Sequence, residues 1–304
     1  MKLLIAGGTG FIGTPVCRTL AQHGHELLVL TRRATPRPQQ GRTTFLSWET
    51  PDWQRPVAGI QGIINLAGES LAAKRWSPRQ KLLIRESRVQ TTRRLINAIA
   101  GELEKPGVLI NASAVGYYGA HGNEELDETA PPGSDFLAEV CQAWEAEAQR
   151  AEALGVRVVR LRIGVVLGSG GGALAKMVPP FRLWIGGPLG SGRQWVSWVH
   201  RDDVVGLIEW ALTRREVSGA VNATAPAPVT MQQLCAALGR VLKRPSWAPV
   251  PAVALRLLVG DMADVLLTGQ RVVPRVALRV GYVFRFPDLM GALDACLRPG
   301  ERST

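Results

Sequence analysis

The sequence predicts an α/β fold, a doubly wound parallel sheet with a smaller C-terminal lobe. Three observations lead there. Through the first half, short β-branched or Leu-rich runs alternate with amphipathic helical stretches. The first run ends in a turn of closely spaced glycines, Gly7-Gly8-Thr9-Gly10-Phe11-Ile12-Gly13. After Gly164 the texture changes, with Gly170-Gly171-Gly172, Gly186-Gly187-Pro188 and Pro-containing loops set around a few helices.

Strands are expected at 2–6, 26–30, 43–46, 62–65, 108–111 and 157–161, and helices at 11–23, 78–100 and 136–154. The strand runs are largely apolar, as in a sheet covered on both faces. Pro78 suits the first turn of its helix and Ser77 its cap. Beyond 164, a helix is expected at 231–241, a strand-like stretch at 281–286, and a loose tail at 298–304. This division gives residues 1–165 as the nucleotide-binding domain and 166–304 as the smaller substrate lobe. Part of the latter, near 196–225, is expected to return to the sheet.

With 304 residues, 46% hydrophobic and 20% charged, the composition is that of a soluble globular protein. Nowhere is there the apolar run of about 18 residues that a membrane span needs. The short run after Met1 ends in glycines, so it reads as a strand rather than a signal peptide. Cys17, Cys141, Cys235 and Cys296 lie far apart, which excludes zinc-finger spacing and a disulfide scaffold and fits a reducing cytoplasm. No metal site is expected. The net charge of +11 comes mostly from scattered Arg, with no long basic run and no aromatic RNA-binding signature. A nucleic-acid partner is therefore disfavoured against an anionic small ligand or a basic surface.

The glycine turn carries the chemistry. In the Rossmann pattern Gly7 permits the tight turn, Gly10 lets backbone approach a pyrophosphate, and Gly13 lets helix pack on strand. The helix start, with Thr9, Phe11 and Ile12, offers free N–H groups and a positive dipole end to phosphates. At the end of the second strand, where an acidic residue would hold the 2′-OH of NAD, the chain has Thr31-Arg32-Arg33. A guanidinium there pairs with a 2′-phosphate, so NADP is the expected cofactor.

With those residues in hand, the chain resembles the extended short-chain dehydrogenase/reductases, and more narrowly the atypical "epimerase family" proteins related to sugar-nucleotide epimerases. The resemblance is carried by Gly7-Gly-Thr-Gly-Phe-Ile-Gly13, Asn65-Leu-Ala-Gly-Glu69 with Arg75-Trp76, and Ser113-Ala-Val-Gly-Tyr-Tyr-Gly119. It continues through Phe136-Leu-Ala-Glu139, Trp144-Glu145, Arg162-Ile-Gly-Val-Val-Leu-Gly168, the segment from Gly186 to Trp195, and Asn222-Ala-Thr-Ala-Pro226. It implies that Leu66, Ala67 and Gly68 lie against the adenosine and ribose. Arg88 reaches a phosphate or ribose, or is a solvated helix residue.

The resemblance also implies a Ser and a Tyr-x-x-x-Lys for proton transfer. Ser113 is in place, but the Tyr position falls near Phe136 or Leu137 and the Lys position on Cys141. Neither can move a proton or supply an ammonium. Tyr117 is the alternative phenol, or a structural aromatic like its neighbour Tyr118. Lys176 reads as snorkelling, His200 as orienting a loop, and Asp202-Asp203 as a helix cap. Asp135 either touches the nicotinamide end or caps its helix.

On the substrate side, Arg193, Gln194 and Trp195 occupy the loop that touches substrate in related epimerases. Arg193 would bind an anion, with Trp195 and Trp198 as an apolar wall or as glue between lobes. The reading is an NADP-dependent oxidoreductase or epimerase-like protein acting on an unidentified anionic small molecule. The alternative is an NADP-binding redox sensor or scaffold without turnover. A homodimer through the helices near 78–100 and 136–154 accords with the resemblance.

Overall fold

The computed structural model describes residues 1–32, 41–50, 53 and 58–298. Its strands are β1 Lys2–Ala6, β2 Glu26–Thr31, β3 Thr43–Ser47, β4 Gly62–Asn65, β5 Val108–Ala114, β6 Glu125–Leu126, β7 Arg157–Ile163, β8 Val165–Leu167, β9 Trp195–Val196, β10 Trp198–His200, β11 Gly219–Ala223, β12 Val229–Thr230 and β13 Arg271–Val272. The helices are α1 Gly13–Gln22, α2 Pro78–Gly101, α3 Phe136–Gln149, α4 Leu174–Arg182, α5 Arg201–Thr213, α6 Met231–Leu242, α7 Ala252–Val259, α8 Met262–Leu267, α9 Arg275–Arg279 and α10 Leu289–Leu297. No described helix is long and apolar enough to cross a membrane.

A seven-stranded sheet runs in the order β11-β7-β5-β4-β1-β2-β3, and its pairings are all parallel. The order reverses direction between β1 and β4, the place where doubly wound sheets open a crevice at their carboxyl ends. Period-two alternation splits the strand residues between two cores. Leu3, Ile5, Leu27 and Val29 pack with Val16 and Leu20 of α1 and Val204, Leu207 and Ile208 of α5. Leu4, Ala6, Leu28 and Leu30 pack on the opposite face with Leu95, Ile96 and Ile99 of α2. A third core, around Phe181, Trp198, Leu234, Leu238 and Leu293, gathers α4, α6 and α10.

Three expectations need correction. The strands β5 and β7 run on to Ala114 and Ile163, with Ser113 opposite Arg162 and Ala114 opposite Ile163. These polar ends stay in register because the Glu145 carboxylate of α3 satisfies both Ser113 and Arg162. Residues 281–286 form no strand. The backbone N–H groups of Arg285 and Phe286 donate to the Asp203 carboxylate at 2.7 and 3.0 Å, while the Tyr282 ring meets Trp210 and Phe284 edge-on. The helix expected over 136–154 stops at Gln149, and a separate 3₁₀ turn spans Glu152–Leu154 before Gly155 in the left-handed region.

Candidate functional site

The turn after β1 is folded so tightly that side chains are excluded at Gly7 and Gly13. Gly7 has φ +80°, and a Cβ there would lie 2.6 Å from the Leu66 carbonyl carbon. A Cβ on Gly13 would lie 2.1 Å from the Gly7 oxygen. Gly10 donates its N–H to Gly7 at 3.0 Å, and a Cβ on it would meet only that oxygen, at 3.3 Å. Thr9 and Gly10 face solvent at the start of α1, whose first turn carries no acidic residue. The result is an open, positive-ended cradle with no side chain in the path of a phosphate.

Phe11 leaves this turn sideways. Its ring fills the space that Cβ atoms on Gly168, Gly171 and Gly172 would need, at 3.0, 2.5 and 2.7 Å. The Arg201 guanidinium lies 5.1 Å from the ring centre and donates to the Ser169 carbonyl at 2.9 Å. The first glycine patch of the second half therefore has a packing cause, contact with the aromatic ring of the turn.

Across the crevice, Leu66, Ala67 and Gly68 follow β4. A buried polar network fixes this segment: Asn65 donates to Thr92 at 2.9 Å and to Asn111 at 2.7 Å. The Ala67 N–H donates back to Asn65 at 3.2 Å, and Trp144 donates to Thr92 at 3.0 Å. The Arg88 guanidinium lies under Gly68, 5.2 Å from the Trp144 ring, and donates to the Ile84 carbonyl at 2.9 Å. Burial pulls its pKa below the ordinary arginine value. It is thus a desolvated cation beneath the crevice rather than a solvated helix residue.

At the end of β2, Thr31 is buried and the Arg32 side chain is 87% exposed. Arg32 stands 3.5 Å from the Glu69 carboxylate, which reaches it from beyond β4. Arg33 lies outside the described residues.

The corner around Ser113 is built differently. Ser113 donates to Glu145 at 2.7 Å, and Arg162 holds the same carboxylate with two bonds of 2.8 and 3.0 Å. All three side chains are buried. Burial alone would lower the pKa of the Arg162 guanidinium, but its bonds to Glu145 raise it. Arg162 also donates to the Tyr118 hydroxyl at 3.0 Å and stacks 3.4 Å from the centre of the Tyr117 ring. Tyr118 donates to Asn222 at 2.7 Å, and its phenol is pushed up to about 12, chiefly by burial. Glu128 accepts from the Asn222 N–H at 3.0 Å, and burial raises its carboxyl above the usual range.

On α3, Leu137 meets Gly116 and Cys141 is buried beside Ser113. Burial pushes the Cys141 thiol up to about 12, so it stays protonated. Counting one turn at a time, Leu137, Cys141 and Glu145 share one face of the helix. That makes Leu137, rather than Phe136, the residue facing the corner. Asp135 caps α3, accepting from the Ala138 N–H at 3.0 Å.

Two of the expected substrate-side residues also fasten loops of the second half. Gln194 donates to the Leu189 and Leu266 carbonyls at 3.0 and 2.9 Å. Trp195 donates to Asn123 at 2.8 Å and lies 5.1 Å from the Arg271 guanidinium. Trp198 is fully buried in the third core, so it forms no pocket wall. Arg193 is exposed. His200 itself caps α5, accepting from the Asp202 N–H at 3.1 Å, and Asp203 is spent on residues 285 and 286. Lys176 is exposed on α4.

Glu145, Arg162, Glu128 and Asn222 were not anticipated as site residues. The available signal was the pair of arginines in Val158-Val-Arg-Leu-Arg162, since a buried charge in an apolar strand needs a partner.

A family model described as the NAD dependent epimerase/dehydratase family matches residues 3–223, and one for a domain of unknown function matches residues 250–296. The "epimerase family protein SDR39U1 homolog, chloroplastic" of Arabidopsis thaliana is 43% identical, covering 98% of this chain and 87% of its own length. The epimerase family protein YfhF of Bacillus subtilis is 38% identical over 97% of each chain. Human epimerase family protein SDR39U1, crystallised with NADPH, superposes with a TM-score of 0.90 at 35% identity, covering 98% of this chain and 99% of that one. The chain belongs to the NAD dependent epimerase/dehydratase family.

Proposed function

We propose that the protein binds NADP(H) across the crevice between β1 and β4 and acts as an oxidoreductase or epimerase-like protein on an anionic small molecule. The cradle carries this reading: Gly7 and Gly13, whose Cβ positions are closed by backbone, with the open Gly10 between them, face a rigid Leu66-Ala67-Gly68 segment, with Arg32 at the ribose end. The NADPH in the human relative's structure supports the same cofactor. Residues 7 and 9–13 would receive the pyrophosphate, Thr31, Arg32 and Arg33 the 2′-phosphate, and Arg88 the region beneath Gly68. Bound there, the nicotinamide supplies or accepts a hydride. Residues 1–165 would form the nucleotide domain and 166–304 the substrate lobe, with β11 returned to the sheet.

The chain's own groups constrain the proton chemistry. With its proton on Glu145, Ser113 has only lone pairs left, so toward a substrate hydroxyl it would act as an acceptor. Tyr117, stacked under Arg162, is the nearest partly exposed phenol, and Arg193 is the exposed cation for an anionic substrate. A second reading, cofactor binding without turnover, is favoured by Leu137 and Cys141 at the positions of the proton-moving pair.

The test is thermal stability in the presence of NADPH or NADH, followed by NADPH consumption over a panel of anionic carbonyl compounds. Ligand at about 100 times its Kd stabilises by about 2.7 kcal/mol, a shift of several degrees. The expected result is a shift with NADPH that exceeds that with NADH, a preference that Arg32→Ala reduces by about tenfold in affinity. Equal shifts for both nucleotides, unchanged in that variant, would remove Arg32 from the site. Binding without consumption on any compound selects the second reading.

A further inference from the structure

Two long segments of the chain carry basic residues but no acidic ones, and part of them forms a surface away from the nucleotide cradle. No Asp or Glu occurs from residue 153 to 201, nor from 217 to 260. These two acid-free segments meet where the end of α4 packs beside the loop after α6. There Leu183, Trp184 and Ile185 are 69%, 56% and 56% exposed, and Trp247 is 66% exposed. Arg182, Arg240 and Lys243 are exposed around them, and Arg244 stacks 4.5 Å from the Trp184 ring.

This tip is firmly built. Trp247 donates its indole N–H to the Trp184 carbonyl at 2.8 Å, and its backbone N–H to Gly186 at 3.1 Å. Cβ atoms on Gly186 and Gly187 would lie 2.4 Å from the Phe181 ring and 2.2 Å from the Ala248 oxygen, so the two segments touch through bare backbone. Trp184 itself adopts φ +66°, a conformation costly for a bulky residue, yet its side chain faces water.

We propose that this tip is a docking surface for an anionic lipid bilayer, with Leu183, Trp184, Ile185 and Trp247 entering the headgroup boundary and the surrounding Arg and Lys meeting lipid phosphates. Indoles favour that boundary, and basic residues beside it are drawn to anionic lipid. Charge complementarity selects the occupant: a second copy of this chain would bring the same cations against themselves. The aliphatic Leu183 and Ile185 gain from an acyl boundary and gain nothing from stacking on nucleic-acid bases. Such a contact needs no spanning helix.

The experiment is co-sedimentation of the full chain with phosphatidylcholine vesicles, with and without about a third phosphatidylglycerol. Binding is expected only to the anionic vesicles, with release by salt. Trp247→Ala with Leu183→Ser, and separately Arg240→Glu with Lys243→Glu, should each weaken it by roughly tenfold or more. An unchanged thermal transition and NADPH response in each variant establishes that the fold is intact. Quenching by brominated lipid should fall in Trp247→Phe, a readout that does not depend on affinity. Absence of vesicle binding, or binding indifferent to both pairs of substitutions, overturns the proposal. Retention on single-stranded DNA through these residues without vesicle binding also overturns it, and assigns the tip to nucleic acid.

Discussion

At the end of β1 the chain keeps its backbone bare, so that Gly7, Gly10 and Gly13 form an open cradle of N–H groups. Two strands away, at the end of β5, the space is filled by Ser113, Glu145 and Arg162, bonded to one another and buried. The first site is made of backbone and waits for an anion. The second is made of side chains and has already satisfied its own charges. If the first holds the cofactor and the second handles protons, as proposed, the two roles rest on separate physical foundations, and one can be kept while the other is altered. In the reading proposed above, Leu137 and Cys141 are the helix positions at which the proton chemistry would differ.

Substitutions separate the two foundations, and the largest effect is expected from Glu145→Ala. It leaves Arg162 buried without its carboxylate, a loss of about 3–5 kcal/mol in denaturant unfolding, with NADPH affinity little changed in the protein that remains folded. Gly13→Ala should cost about 3 kcal/mol, since its Cβ meets the Gly7 oxygen at 2.1 Å, and here the NADPH response should vanish as well. If Gly13→Ala keeps full affinity, the cradle is not where the nucleotide sits.

Cys141→Lys restores the family's residue beside Ser113 but sets an ammonium near half-buried Arg88, with the neighbouring Glu145 carboxylate already held by Arg162. A cost of about 2 kcal/mol is expected at neutral pH, by burial of an unpaired charge. Because burial lowers the lysine pKa in the folded state, that cost should shrink as pH rises toward about 10, where the unfolded lysine also loses its proton. A cost independent of pH would trace to packing instead. The smallest effect belongs to Glu69→Gln. Freed of a carboxylate at 3.5 Å, Arg32 should take NADPH about twofold more tightly at low salt, with the gain lost at high salt.

Much of the sheet was legible because its signal is local. Runs such as Leu3-Leu-Ile-Ala6 and Gly62-Ile-Ile-Asn65 are apolar at nearly every position, which parallel strands covered on both faces require. The glycine turn was equally legible, since strand, turn and helix follow one another within a short stretch of chain. The second half resisted because its polar contacts are long-range. Asp203 is joined to residues 285 and 286, more than eighty positions away, so a strand-like run there becomes a loop held by a carboxylate. Gln194 and Trp195 read as ligand-facing residues in a Gly-rich loop, but their partners, Leu266 and Asn123, come from remote segments. The network from Ser113 to Asn222 was hidden for the same reason. Arg162 pairs across the strand with Ser113, and its carboxylate arrives from a helix seventeen residues earlier.

The ring of Phe11, wedged among Gly168, Gly171 and Gly172, has a consequence for anyone who would re-engineer the cofactor preference. The phosphate turn is not a detachable cassette. A turn grafted from another dinucleotide protein with a smaller residue at position 11 leaves a hole beneath the second half, and one with a larger residue pries the halves apart. The loop at 168–172 must therefore be transplanted along with the turn.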